Sequence, residues 1–174
     1  MADLEDRLLS GAGLRRWFRL AVVLGLCGSA FGCGMILGAE HDPQVWHRDP
    51  FAAERTGRPN DFLAAPEGTT VAAPDRLLGV WAEAPEALFA RFEAIIVATD
   101  RVERLIKDDA ALFATYVQRS ALIGFPDYIS VRVVPQGEGA SLAIWSRARF
   151  GYSDFGVNRA RVDTWLGQLG SPAE

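Results

Sequence analysis

The pattern of apolar and polar positions divides the chain into an uncharged N-terminal run, a proline-rich middle and a periodic C-terminal half. Residues 20–39 form a run of twenty residues without a charged side chain. At a rise of about 1.5 Å per residue, a helix of this length just crosses a bilayer core of about 30 Å. The pattern therefore predicts a transmembrane helix over residues 20–39.

Charged residues flank this run asymmetrically. Arg15, Arg16 and Arg19 precede it, whereas Glu40 and Asp42 follow it. Because positively charged flanks stay in the cytoplasm, residues 1–19 are predicted to be a cytoplasmic N-terminus, with the main domain on the far side of the membrane. Two alternatives stay open, namely a cleaved secretory signal and a twin-arginine signal at "RRWFR".

Small residues recur within the same run. Gly28 and Gly32 form one GxxxG pair, and Gly34 and Gly38 form a second. In lipid, small residues let helix backbones approach closely, and this packing drives association. The four glycines are predicted to contact another membrane helix; the alternative is that glycine is simply common in such helices.

The middle of the chain, residues 40–80, shows neither a helical nor a strand period. Five of the nine prolines lie there. Trp46, Phe51 and Phe62 nevertheless make the segment too apolar for a free linker. We expect an extended, proline-rich segment that wraps on the main domain or on a partner.

Periodicity becomes regular over residues 81–170, which are predicted to form the folded domain. Pro85 suits a first helical turn, and apolar residues follow it at helical spacing to about residue 98. Four alternating segments then predict four strands, and short polar turns favour their antiparallel pairing. A last helix is predicted at about residues 154–169.

This order of elements predicts an α+β fold with an N-terminal transmembrane helix. The four strands would form an antiparallel meander, and the two amphipathic helices would cover one of its faces. The layout is that of a reduced helix-grip. This is an analogy of element order alone, and it leaves function open.

Composition narrows the chemistry of the predicted domain. The net charge of −4 gives no global attraction to nucleic acid, so no such partner is predicted. Both cysteines, Cys27 and Cys33, lie in the apolar run, and the histidines are His41 and His47. Together with the lack of a catalytic or phosphate-loop motif, this predicts a protein without catalytic residues, metal or cofactor.

The densest candidate site is "WSRARFGYSDFGVNRARVDTW", residues 145–165, where a predicted strand turns into the last helix. Alternation along the strand places Arg147 and Arg149 on one face. Free N–H groups at the start of the helix favour negative charge. Arg147, Arg149, Ser153 and Asn158 are therefore predicted to bind an anion, such as a carboxylate or a phosphate headgroup.

The alternative interpretation of this stretch is structural. Asp127, Asp154 and Asp163 lie within reach of its arginines, and ion pairs between them would lock strand, turn and helix together. Ser153 or Asp154 would also cap the helix by accepting a backbone N–H. A third interpretation is a docking patch for another protein.

Two stretches resemble a known family. They are "RSALIGFPDYISVRV", residues 119–133, and "SRARFGYSDFGVNRARVDTWLGQL", residues 146–169, and both are similar to the domain-of-unknown-function 1499 family. The resemblance covers roughly residues 58–169. It implies a protein of the bacterial envelope or of plastids, often behind a signal or membrane anchor, and it supplies no catalytic residue.

These features lead to two predictions of function. The first is a non-enzymatic, single-pass accessory protein of the bacterial inner membrane, whose periplasmic domain and membrane helix bind a larger membrane protein complex. Its partners would be that complex and the lipid bilayer. The alternative is a lipid- or small-anion-binding module of the bacterial envelope.

Overall fold

The structure is a computed structural model that describes residues 40–172. The predicted cytoplasmic N-terminus, the predicted transmembrane helix and its four glycines (Gly28, Gly32, Gly34 and Gly38) lie outside the described residues. Within residues 40–172, no helix has both the length and the apolar character needed to cross a membrane.

A sheet of six strands lies at the centre of the described region. The strands are β1 (Asp61–Ala65), β2 (Arg76–Leu77), β3 (Val102–Asp108), β4 (Phe113–Arg119), β5 (Pro126–Gln136) and β6 (Gly139–Ala148). Their order across the sheet is β2-β1-β6-β5-β4-β3. Only β1 and β2 pair in parallel, so the sheet is mixed.

The helices are α1 (Pro43–Trp46), α2 (Pro85–Val97) and α3 (Val157–Leu169), and a 3-10 turn spans Pro50–Ala52. The helices α2 and α3 cover one face of the sheet and form the main core with it. As their spacing predicted, Phe92 and Trp165 are buried. The two rings meet edge to face, with their centroids 6.4 Å apart.

The predicted fold, a four-stranded antiparallel meander of reduced helix-grip type, is wrong. Strands β1 and β2 extend the sheet beyond β6, and they come from the middle segment that showed no strand period. The four residues after Asp61 in β1 are all buried, so "FLAA" lacks the polar alternation of a strand with one wet face. Pairing with β6 makes this segment a strand, and periodicity does not reveal it.

The second face of the sheet is covered by residues 40–55, which we call the strap. Trp46 of the strap stacks on Tyr128 of β5, with ring centroids 3.7 Å apart and planes within 4°. His47 stacks on Phe113 of β4, also at 3.7 Å. The strap therefore packs on its own domain, which is one of the two placements expected from the sequence.

Gly139, the first residue of β6, lies against the backbone of Trp81. A Cβ at this position would be 2.1 Å from the Trp81 carbonyl oxygen. We expect Gly139→Ala to lower the free energy of unfolding by about 1–3 kcal/mol, the usual cost of overpacking. The control Gly167→Ala in α3, where a Cβ meets nothing within 4 Å, should keep or slightly raise stability. Urea unfolding of the full chain checks both, and equal stability of the two variants would contradict the close approach.

Candidate functional site

The arginines of the predicted site face the strap. Trp145 and Arg147 alternate along β6 on the strap-covered face, as predicted, and Arg149 follows just after the strand. The Arg147 guanidinium donates to the Trp46 carbonyl oxygen of the strap. That of Arg149 donates to the Glu40 carbonyl oxygen at 2.7 Å and to the Tyr128 hydroxyl at 3.0 Å.

Arg147 is a buried charge without a counter-ion. It is only 7% exposed. Its guanidinium also donates to the Ser130 hydroxyl at 3.1 Å and to the Trp145 carbonyl oxygen at 3.5 Å, and it lies 4.1 Å from the centroid of the Trp145 ring. Within residues 40–172, no carboxylate lies within 4 Å of it. Burial, helped by the nearby charge of Arg48, lowers the pKa of Arg147 to about 10.

Asp61 is the carboxylate best placed to neutralise Arg147, but it is already bound. The two residues lie directly opposite each other in the β1–β6 pair. Arg55 donates to the Asp61 carboxylate from Nε at 2.9 Å and from Nη2 at 2.8 Å. The Trp145 indole N–H donates to it as well, at 2.9 Å. Asp61 therefore forms no ion pair with Arg147, and its charge offsets only part of the lowering of the Arg147 pKa.

A groove of about 830 Å³ opens beside Arg147, between the strap and the end of β6. Its volume is in the usual range for small-molecule sites. Its charged lining residues are Arg48, Arg58, Arg147, Arg149, Asp49, Glu54 and Asp61. Two of the three carboxylates, on Asp49 and Asp61, are bound by arginines outside the lining. The groove is therefore positive in character, and Trp46 and Trp145 give it flat apolar walls.

The other two predicted anion ligands, Ser153 and Asn158, are not among the residues that line this groove. Asn158 is fully buried on the helix-covered face, where its backbone N–H and its side-chain amide donate to the Asp154 carboxylate at 2.8 and 2.7 Å. Ser153 accepts from the Phe155 N–H at 3.2 Å. Asp154 thus accepts from N–H groups at the start of α3, as the capping interpretation predicted, so a carboxylate of the chain itself already lies at this helix end.

The structural interpretation is confirmed for Arg161 and wrong for Arg147 and Arg149. Arg161 donates to the Asp127 carboxylate at 2.6 Å and to the Ser146 hydroxyl at 2.8 Å. Burial raises the pKa of Asp127, and the charge of Arg161 opposes this rise. Arg161 therefore ties α3 to the sheet, whereas the acceptors of Arg147 and Arg149 are carbonyl and hydroxyl oxygens.

A smaller cavity of about 240 Å³ has Arg76, Trp81 and Asp163 in its lining. Arg76 is paired with Asp163 at 2.6 Å. The Trp81 indole N–H donates to the Gly170 carbonyl oxygen at 3.2 Å. Because these polar groups already have partners, the groove beside Arg147 is the stronger candidate site.

Sequence reasoning missed the two histidines that anchor the strap. His41 Nε2 lies 2.7 Å from Arg119 Nη2, and its Nδ1 lies 2.8 Å from the Tyr128 hydroxyl. Since a guanidinium only donates, Nε2 must accept and His41 must be neutral. His47 Nδ1 bonds to the Thr115 hydroxyl at 2.8 Å. The one available signal was that both histidines of the chain fall at the start of the middle segment.

Protonation of these histidines should loosen the strap. Burial lowers the pKa of both His41 and His47, and the charge of Arg119 lowers that of His41 further. Their contribution to stability is therefore complete above the ordinary pKa of about 6.5 and is lost as the pH falls through the lowered values. We expect hydrogen exchange in residues 41–47, corrected for the intrinsic rate, to accelerate from neutral pH to about pH 5. His41→Gln with His47→Gln should remove this pH dependence, and protection that is equal at both pH values in the wild type would contradict it.

Removing Arg161 should destabilise the fold, because the Asp127 side chain, which is only 14% exposed, would lose its counter-ion. We expect Arg161→Leu to lower the free energy of unfolding by about 3–5 kcal/mol near neutral pH. The control Arg159→Leu changes an exposed residue of the same helix that lies over the Phe62 ring, and it should cost about 1 kcal/mol or less. Urea denaturation measures both. If the two variants lose similar amounts of unfolding free energy, the Arg161–Asp127 pair has no special role in stability.

Comparisons with known proteins place the chain in a family. Residues 53–169 match the model described as "Protein of unknown function (DUF1499)", so the chain belongs to this family and the resemblance is confirmed. A search of curated proteins finds no match. A crystal structure of a DUF4468 family protein from Bacteroides ovatus ATCC 8483 is similar at 11% identity, with a TM-score of 0.30. The similarity covers 62% of this chain and 63% of that one, which is less than two thirds of its length.

Proposed function

We propose that this DUF1499 protein is an anion-binding module of the bacterial envelope. Its ligand would carry a carboxylate or a phosphate, free or as a lipid headgroup, and would bind in the groove beside Arg147. The observation that carries the proposal is the buried Arg147 guanidinium, which has no carboxylate within 4 Å among residues 40–172. An anionic ligand would supply the missing charge.

The energetics of buried ions support this proposal. A charge taken out of water costs several kcal/mol unless a partner of opposite charge compensates it. The hydrogen bonds of Arg147 are made by Nη1 and Nη2 to neutral oxygens, and within the described residues Nε has no acceptor. Guanidinium groups bind carboxylates and phosphates strongly because the hydrogen bonds are charge-assisted. Arg58 and Arg149 would add further donors at the same groove.

The proposed location is the periplasmic side of the inner membrane. This follows from the charge asymmetry around residues 20–39 and from the family resemblance. The role of an accessory subunit of a larger membrane protein complex also stays a prediction, because it depends on the four glycines of that run. The groove favours the binding module, since it offers a buried guanidinium without an ion-pair partner among residues 40–172.

Ligand-induced stabilisation of the full chain in detergent tests the proposal. The probes are inorganic phosphate, citrate and a short-chain phosphatidylglycerol, and at least one should raise the unfolding temperature. We expect Arg147→Gln to lower the affinity for that probe about 10–100-fold, which is the usual effect of losing a hydrogen bond to a charged group. Arg76→Gln is the matched control, because Arg76 lies outside the groove and pairs with Asp163.

Because Arg147 is buried, its replacement can also disturb the fold. A second variant at an exposed residue therefore separates loss of binding from misfolding. Arg58→Gln changes an exposed residue of the groove lining. It should lower the affinity for the same probe several-fold and leave the stability of the ligand-free chain unchanged. Stabilisation by phosphate or citrate would indicate a free anion, and stabilisation by phosphatidylglycerol alone would indicate a lipid headgroup. The proposal is overturned if no probe stabilises the chain, or if Arg76→Gln weakens binding as much as Arg147→Gln.

A further inference from the structure

One end of the domain exposes a concentration of apolar side chains. Two loops form this end, which we call the tip: residues 120–125 between β4 and β5, and residues 149–156 between β6 and α3. The exposed apolar residues of the tip, including the first residue of α3, are Leu122, Ile123, Phe150, Tyr152, Phe155 and Val157. The rings of Phe125 and Phe150, with centroids 6.0 Å apart, join the two loops into one surface.

Three of these side chains are largely exposed to water. Leu122 is 96% exposed, Phe155 95% and Tyr152 71%. Phe155 also has a φ of 55°, a left-handed backbone conformation that a residue with a bulky side chain rarely adopts. A strained backbone that holds a phenyl ring in water offers no benefit to the isolated domain. Such outliers point to a function, and here the function would be contact with an apolar phase.

The strap begins at this same tip. The Glu40 carbonyl oxygen accepts from Arg149, which opens the second loop, and His41 accepts from Arg119, which ends β4 just before the first loop. The chain reaches Glu40 directly from residues 20–39, the run without a charged side chain. The attachment point of the most apolar segment of the chain therefore lies between the two apolar loops.

We infer that the tip docks on the surface of a lipid bilayer. Leu122 and Phe155 insert among the acyl chains, and Tyr152 lies at the level of the headgroups, where amphipathic rings are common. The position of Glu40 favours a bilayer over a protein partner, because the uncharged run joins the chain at this residue. Asp154 does not oppose docking, since its carboxylate is turned to backbone N–H groups of α3.

This inference goes beyond the proposed function and does not require an occupied groove. The two surfaces are neighbours, because Phe150 and Gly151 also line the groove. Docking at the tip would therefore present headgroups to Arg149 and to Arg58. An anionic bilayer would thereby supply headgroups of the kind that the groove is proposed to bind.

Depth-dependent quenching on the full chain tests the inference. Cys27 and Cys33 are changed to Ser, and one environment-sensitive fluorophore is attached through Leu122→Cys or Phe155→Cys. The control is Glu138→Cys, an exposed site in the β5–β6 turn at the opposite end of the sheet. In vesicles of phosphatidylcholine and phosphatidylglycerol, acyl-chain nitroxide lipids should quench both tip labels several-fold more than the control label.

Three outcomes would overturn the inference. The first is tip labels that are quenched no more than the label at Glu138→Cys. The second is a blue shift of the tip labels without quenching by lipid, which indicates that a protein covers the tip. The third is loss of quenching in vesicles of phosphatidylcholine alone, because apolar insertion does not need anionic headgroups. Quenching should persist in the Arg147→Gln background, so a failure of anion binding and a failure of docking are distinguishable.

Discussion

The stacking of Trp46 on Tyr128 closes the second face of the sheet, and the chemistry of that face depends on it. Helices α2 and α3 cover only the other face, so without the strap Phe113, Tyr128 and Arg147 would face water. The strap excludes water with two stacked aromatic contacts, but to Arg147 it offers only the backbone carbonyl oxygen of Trp46. Closure therefore buries a positive charge without neutralising it, and this creates the site.

Two arginines with little exposure to water show why this arrangement is selective. The Arg161 guanidinium has the Asp127 carboxylate at 2.6 Å. Arg147 is buried and has only neutral acceptors. The difference lies in how the carboxylates are used, since Asp61, the direct neighbour of Arg147 across the sheet, is bound by Arg55. Arg161 therefore stabilises the fold, whereas Arg147 is available to a ligand.

Periodicity and turn residues predicted the long elements and missed the short ones. The helix around Phe92 was predictable because it buries one side and exposes the other. Strand β6 is buried on both faces, and it was predictable because it is a long apolar run that follows the turn residues after β5. Strand β1 is also buried on both faces but has only five residues, so neither alternation nor length marks it. The face of Arg147 followed from alternation along β6, but its acceptor is a backbone carbonyl 101 residues away in the chain. Every residue type carries that group, so no sequence pattern marks it.

Closure of the strap and occupation of the groove are thermodynamically linked. The strap supplies both an acceptor for Arg147 and part of the groove wall, through Trp46. An anion that binds only the closed face must therefore stabilise closure by mass action, and closure must raise its affinity by the same factor. The first strap residues are also bound by Arg149 in the tip and by Arg119, the last residue of β4 before the tip. A bilayer that holds Glu40 in place would keep the strap closed, so docking at the tip and anion binding in the groove reinforce each other.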